Sequence, residues 1–234
     1  MAKLYLIPTT LGDSPIEKVL PAYICEILTS TKYFIVENIR TARRFLKKVN
    51  REIIIDDLIF FELNKHSNQE QYQSYLQPIE QGHSVGIISE AGCPGVADPG
   101  SEIVIIAHQL GYNIEPLVGP SSILLSLMAS GLNGQNFSFL GYLPVSSGER
   151  HKTLKNIERE SANKNQTQIF IETPYRNNQL LNDIIAVCNP GTLLCIASEI
   201  TLETENIRTF PVIEWKNKLP NLHKKVAIFL LKSQ

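Results

Sequence analysis

The sequence lacks the features that assign a chain quickly to a secreted, metal-binding or membrane class. Its four cysteines form no CxxC pair and no His/Cys cluster with zinc spacing, so we expect reduced thiols and no metal site. No apolar run approaches the ~18 residues of a membrane span. Pro8 interrupts the short apolar start, which argues against a signal peptide. We therefore expect a soluble, cytoplasmic protein without a membrane partner.

A dominant charge and the common nucleotide motifs are also missing. The chain has 22 Lys+Arg against 23 Asp+Glu and a net charge of −1, so any contact with nucleic acid must be local. No G-x-G-x-x-G follows the first strand, and no G-x-x-x-x-G-K-[ST] or G-x-S-x-G occurs. These absences argue against dinucleotide enzymes, P-loop NTPases and α/β-hydrolases.

Short apolar segments alternate with helical patterns and predict two α/β domains, residues 1–118 and 119–234. The first half alternates strand and helix, which is typical of a mostly parallel sheet covered by helices. The second half has more strand per helix and predicts a mixed sheet. Predicted strands are 4–7, 33–36, 85–88, 114–118, 137–140, 168–171, 193–198, 207–213 and 226–231. Predicted helices are 16–29, 38–49, 69–81, 101–110, 121–131, 148–160 and 176–187, and residues 163–166 are predicted as a loop.

Three loops rich in Gly, Pro and Ser follow predicted parallel strands, at residues 8–13, 89–100 and 119–122. Ligands of open parallel sheets bind outside the carboxyl ends of the strands. Each loop alone reads as an ordinary turn, but three on one edge favour a site. The central loop has carboxylates and backbone amides without Lys or Arg, which suits a cationic or amide-rich ligand better than a polyphosphate.

A basic segment follows the second predicted strand. Its six cations fall on one face of the predicted helix: Arg40, Arg43, Arg44, Lys47, Lys48 and Arg51. A solvated face is the usual meaning of such a run, but a face of one sign in a chain of net charge −1 favours phosphate contact. A second basic group around Arg150 is diluted by glutamates. After a later predicted strand, Tyr175 is suited to stacking and Arg176 to pairing with a carboxylate or phosphate. Pro174 is equally consistent with the simple start of a helix.

The order of these motifs resembles the tetrapyrrole methylase superfamily and, within it, the ribosomal RNA small subunit methyltransferase I family. The resemblance rests on residues 4–8, 37–43, 89–100, 118–122, 141–144, 147–150, 170–176 and 197–201. It implies two α/β domains with S-adenosylmethionine in the cleft between them, a homodimer, and methylation of a cytidine 2′-hydroxyl in small-subunit ribosomal RNA. Cofactor-binding residues carried over from it are Pro8, Leu11, Gly12, Glu90, Gly92, Cys93, Pro94, Val96, Asp98, Pro120, Ser121, Ser122, Glu172 and Glu199. With the basic segments, it implies RNA contacts at Arg40, Arg43, Arg44, Lys47, Arg150 and Arg176, and the small ribosomal subunit as a partner.

The family motifs are not fully matched. Thr10 stands where the family usually has Gly, and Asn38 and Leu202 replace an acidic and a basic residue. These changes leave open another RNA target, a small tetrapyrrole as the methyl acceptor, or a non-catalytic module that binds S-adenosylmethionine. Glu37 is our first choice for a general base, because it ends a strand beside the basic helix. The alternative is that Glu37 caps this helix and offsets its dipole.

Overall fold

The computed structural model describes residues 1–63 and 69–233, which form two compact units, Met1–Ser121 and Ser122–Gln234. The units divide three residues after the boundary used in the prediction, between residues 118 and 119. Each unit has its own five-stranded sheet. Within the described ranges, no helix is both long enough and apolar enough to cross a membrane.

The first unit is a parallel sheet with the strand order β3-β2-β4-β1-β5, which confirms the predicted sheet type. Its core lies on both faces: Phe34 and Leu46 are buried on one side, and Ile35 and Leu76 on the other. The elements are β1 (Lys3–Ile7), α1 (Ile16–Val19), α2 (Tyr23–Ser30), β2 (Tyr33–Val36), α3 (Ile39–Val49), a 3₁₀ turn (Ile55–Asp57), β3 (Ile59–Glu62), α4 (Gln69–Glu80), β4 (Val85–Ile88), α5 (Ser101–Gln109) and β5 (Asn113–Pro116).

Two predictions for this unit were wrong. The single helix predicted over 16–29 is divided into α1 and α2, because Pro21 restricts the residue before it and Leu20 is extended, with φ −120° and ψ 135°. Strand β3 was not predicted. It is an edge strand of four residues, none of them fully buried, and its apolar residues Ile59, Phe60 and Phe61 are the sequence signal that was overlooked.

The second unit is a mixed sheet, as predicted, with the order β6-β7-β10-β8-β9 and one parallel pair, β6 with β7. Phe170, Phe229 and Trp215 lie in its core. The elements are α6 (Ser122–Ser130), β6 (Phe137–Tyr142), α7 (Ser147–Lys164), β7 (Thr167–Ile171), α8 (Asn177–Val187), β8 (Leu193–Ser198), β9 (Asn206–Pro211), α9 (Val212–Trp215) and β10 (Ala227–Lys232). The predicted loop at 163–166 is shorter, because α7 continues to Lys164 and ends where Asn165 adopts a left-handed conformation.

Candidate active site of the first unit

The three predicted loops meet in the first unit, beyond the carboxyl ends of β1, β4 and β5. The Thr9 amide donates to the Gly92 carbonyl over 2.9 Å, and the buried Ser89 hydroxyl donates to the same oxygen over 2.5 Å. The Cys93 thiol donates to the Pro120 carbonyl over 3.5 Å. The Thr9 and Cys93 contacts join loops that are far apart in sequence, so the parallel strand order itself brings the three loops together.

Close packing at two glycines holds the loops together. Gly92 has a φ of +81°, and a Cβ there would lie 3.2 Å from Leu11 Cδ2 and 3.4 Å from the Pro120 carbonyl. A Cβ on Gly119 would lie only 2.2 Å from the ring of Pro8. Any side chain at Gly119 would separate the first and third loops, and any at Gly92 would strain the backbone.

Three carboxylates lie at this edge: Glu37 after β2, and Glu90 and Asp98 in the loop after β4. Burial, with the charges of Asp98 and Glu90, raises the pKa of Glu37. Burial and the charge of Glu90 raise the pKa of Asp98, although the Glu90 amide partly offsets this by donating to its carboxylate. Asp98 Oδ2 is buried and finds no hydrogen-bond partner among the described residues. Such an oxygen is suited to a ligand that donates a hydrogen bond or carries positive charge.

Asn38 directly precedes helix α3, and its side chain accepts hydrogen bonds from the amides of Arg40 (2.9 Å) and Thr41 (3.2 Å). Asn38 therefore caps the helix, and the alternative that Glu37 does so is wrong. The Thr41 hydroxyl donates to Glu90 Oε1 over 2.5 Å. This bond connects the first turn of α3 to the loop after β4.

The basic residues of α3 are all exposed or partly exposed, while Ala42 and Leu46 are buried on the opposite side of the helix. Some of the cations have local contacts. Arg43 lies over the Phe60 ring at 5.5 Å, and Lys47 donates to the Arg51 carbonyl over 2.9 Å. Lys48 forms an ion pair with Asp13 over 2.7 Å.

A pocket of about 150 Å³ lies between α3 and the loops after β1 and β4. Its lining comprises Thr9, Thr10, Thr41, Ala42, Arg44, Phe45, Lys48, Ile88, Ser89 and Glu90. The pocket thus brings Arg44, a predicted RNA contact, together with Glu90, a predicted cofactor contact. The sequence prediction assigned no site role to Thr41 or Ser89. The spacing of Thr41, Arg44 and Lys48, at i, i+3 and i+7, is the signal that identifies them as one helix face.

The predicted residues of the second unit have local partners. Glu172 is buried, and its Oε1 accepts from the Thr173 amide (2.7 Å) and the Arg176 guanidinium (2.6 Å). Glu199 has a φ of +52°, and its Oε2 lies 3.0 Å from Lys225 Nζ. The roles of Glu172 and Glu199 toward the cofactor stay predictions, as does RNA contact by Arg176.

Arg150 belongs to the interior of the second unit and was misassigned to the RNA-binding set. Its side chain is 1% exposed and forms an ion pair with Asp183. It also donates to the carbonyls of Pro144 (3.1 Å) and Val145 (2.7 Å). A guanidinium with these buried partners holds the start of α7 against α8 and is not available to a phosphate.

The other predicted cofactor residues differ in exposure. Pro94 and Pro120 are buried, Gly12 and Ser121 are partly exposed, and Val96 is exposed. Ser122 is the first residue of α6 and belongs to the second unit. Cofactor contact by these residues stays a prediction.

Comparison with known proteins supports the family that the sequence motifs indicate. The family model of Tetrapyrrole (Corrin/Porphyrin) Methylases matches residues 14–214. The chain belongs to the tetrapyrrole methylase family. The Ribosomal RNA small subunit methyltransferase I of Vibrio cholerae is 31% identical over 211 residues, which are 90% of this chain and 69% of that protein. The protein of the same name from Escherichia coli O157:H7 is 28% identical over 98% of this chain and 77% of its own length.

Solved structures agree on the fold. The methyltransferase CobJ superposes with a TM-score of 0.65 at 18% identity, over 100% of this chain and 95% of CobJ. Cobalt precorrin-4 methyltransferase CbiF gives a TM-score of 0.60 at 14% identity, over 98% of this chain and 94% of CbiF. Family membership makes the chain a methyltransferase, and S-adenosylmethionine is the methyl donor of this family.

Proposed function

We propose that this tetrapyrrole methylase family member methylates RNA of the small ribosomal subunit, at the 2′-hydroxyl of a cytidine. The observation that carries the proposal is the hydrogen bond from Thr41 to Glu90, which joins the basic helix α3 to the loop after β4. A cationic helix face directly beside a methyl-transfer site suits a polyanionic acceptor. The Ribosomal RNA small subunit methyltransferase I relatives support the RNA class.

The loops of the first unit fit S-adenosylmethionine. The buried Asp98 Oδ2 needs a donor, and the cofactor carries an ammonium group, ribose hydroxyls and an adenine amino group. At Gly92 the backbone packs against Leu11 and Pro120 with no room for a side chain, which holds the three loops in one arrangement around a ligand. When bound, the cofactor supplies a methyl group already activated by its sulfonium, so the protein needs neither a metal nor a strong acid.

The remaining chemistry falls to the residues of the chain. We assign to Glu37 the acceptance of the proton from the ribose hydroxyl, because its raised pKa brings the carboxylate closer to the neutral range in which a general base works best. Arg40 and Arg44 hold phosphates of the RNA, and the loops exclude water on the cofactor side. Positioning of the two reactants contributes several kcal/mol.

A small tetrapyrrole as acceptor is the alternative within the family. The exposed cations of α3 favour RNA over it, because a tetrapyrrole requires an apolar cleft that matches its carboxylates rather than an extended cationic face. We further propose that the protein acts in the cytoplasm as a homodimer, since two-fold symmetry is the commonest assembly. Sedimentation at low micromolar concentration tests the dimer, and a species of only 26.3 kDa contradicts it.

Nucleoside mass spectrometry tests the function directly. Small-subunit RNA from cells lacking this chain is incubated with the purified protein and the cofactor, and 2′-O-methylcytidine is expected to appear. Gly92→Arg is expected to abolish both the product and calorimetric binding of the cofactor, since any side chain there strains the backbone at φ +81° and pushes the loop away from Leu11 and Pro120. Another methylated nucleoside would correct the acceptor, and the absence of any methylated nucleoside would refute the RNA function.

A further inference from the structure

The pocket between α3 and the loops after β1 and β4 has two chemically different sides. Arg44 and Lys48 lie one helical turn apart and supply positive charge. Thr10, Thr41 and Ser89 supply hydroxyls, and Glu90 supplies a carboxylate. The floor includes Ala42 and Ile88, both largely excluded from solvent.

We propose that this pocket receives the ribose of the target nucleotide together with the phosphate attached to it. The inference rests on the proposed function and extends it by assigning the nucleotide subsite. The cations suit the phosphate, and the carboxylate with its neighbouring hydroxyls suits the sugar hydroxyls. Binding of a phosphate alone does not explain Glu90, because the negative charge of Glu90 repels a phosphate. Binding of a base alone does not explain the two cations.

The volume of the pocket limits how much of a nucleotide can enter it. A volume of about 150 Å³ corresponds to roughly five water molecules at ~30 Å³ each. This is too small for a whole nucleotide, so the base lies outside. The subsite therefore fixes the sugar–phosphate backbone of the RNA and leaves base selection to other contacts.

Lys48 can exchange its ion-pair partner Asp13 for a phosphate. Its ammonium is 2.7 Å from Asp13, whose side chain is 99% exposed. An exposed pair of this kind contributes little to stability, so a phosphate can replace Asp13 at small cost. Asp13 thus acts as a weak competitor for the cation that the phosphate needs.

Glu90 places the sugar next to the proposed base. It is hydrogen-bonded to the Thr41 hydroxyl, which also lies 2.9 Å from the carbonyl of Asn38, the residue directly after Glu37. A sugar hydroxyl held by Glu90 is therefore close to the group of carboxylates at the sheet edge. Thr41 is a positioning residue in this arrangement, since it orients Glu90 and contacts no reacting atom.

The test uses the whole chain, with cytidine 3′-monophosphate as the probe and NMR amide shifts as the readout. Shifts are expected at Thr10, Thr41 and Ser89. The 2′-deoxy analogue, cytidine and inorganic phosphate are each expected to bind at least about fivefold more weakly, because each lacks one half of the recognition. Equal binding of inorganic phosphate reduces the site to an anion site and overturns the proposal. Absence of shifts at about 10 mM nucleotide, weaker than the millimolar scale, also overturns it.

Variants distinguish binding in this pocket from a general effect of positive charge on nucleotide binding. Lys48→Ala is expected to weaken binding about tenfold, and Asp13→Asn is expected to strengthen it, because the competitor for Lys48 is removed. Lys32→Ala, at the opposite end of β2, is the matched control and is expected to bind like the parent. An Asp13→Asn variant that binds no better contradicts the exchange of partners, and a Lys48→Ala variant with parental affinity contradicts the subsite.

Thr41→Val tests the positioning role, because valine keeps the shape and loses the hydroxyl. The expected result is a changed pH profile of RNA methylation at unchanged affinity for S-adenosylmethionine, and an unchanged profile refutes the role.

The nucleotide subsite and the RNA methylation activity are overturned by different results. If the parent methylates RNA but the nucleotide leaves the pocket unperturbed, only the inference is wrong. If the nucleotide binds in the pocket but no RNA is methylated, the proposed function is wrong.

Discussion

At the scale of single residues, the reactivity of the site depends on how many acids share one sheet edge. Glu37 is partly buried and lies within the influence of two further carboxylates. Glu37→Gln keeps the size and removes the charge. Its single-turnover methylation rate on RNA is expected to fall about a hundredfold or more, the usual cost of losing a general base. A rate within about twofold of the parent would assign catalysis to orientation or to another carboxylate.

The same residue makes stability depend on pH. Because the pKa of Glu37 is raised above 4.5 in the folded protein, the folded state holds this proton more strongly than the unfolded state. Its contribution to the free energy of unfolding is present at low pH and is lost as pH rises through the folded pKa. The Tm of Glu37→Gln minus that of the parent is therefore expected to increase between about pH 4 and 7. A constant difference would show that the carboxyl group has an ordinary pKa.

At the scale of the element, α3 combines an apolar inner face, an Asn38 cap and a cationic outer face. The variant Arg40→Ala/Arg44→Ala/Lys47→Ala removes three positive charges from that outer face. RNA binding is expected to weaken, and the slope of its logarithm against that of salt concentration to decrease by about one for each phosphate no longer neutralised. Calorimetric binding of S-adenosylmethionine is the control and is expected to stay at the parental value. An unchanged salt dependence of RNA binding would mean that the cations of α3 are solvated and contact no phosphate.

The elements that sequence patterns predicted are those whose physical cause is local. The buried run of β4 and the two-sided pattern of α3 are visible in the order of residues. Strand β3 was missed although Ile59, Phe60 and Phe61 form a short apolar run, so its local signal was overlooked; in the structure it pairs with β2 at the sheet edge. The break between α1 and α2 had a local signal, Pro21, but the helical pattern of residues 16–29 outweighed it in the prediction. The meeting of the three loops at one sheet edge was predicted. The burial of Arg150 depends on Asp183, 33 residues away, and no local pattern shows it.

At the scale of the whole molecule, the two units have separate sheets and separate cores. Each core cluster draws its residues from one unit only. The carboxylates at the sheet edge and the basic helix α3 belong to the first unit, whereas the predicted cofactor residues Ser122, Glu172 and Glu199 belong to the second. The second unit carries Tyr175, which is 71% exposed, and its own ion pairs. A change deep in the second unit is therefore expected to act on stability before it acts on the site.

Asp183→Asn tests this separation. It leaves the guanidinium of Arg150, 1% exposed, without its charged partner, and breaking a buried pair in this way costs about 3–5 kcal/mol. Hydrogen exchange of the β7, β8 and β10 amides is expected to accelerate accordingly, while the β1 and β4 amides keep parental protection. Loss of protection in β1 and β4 to the same extent would mean that the units unfold together, and that stability at the proposed methyl-transfer site depends on the ion pair of Arg150.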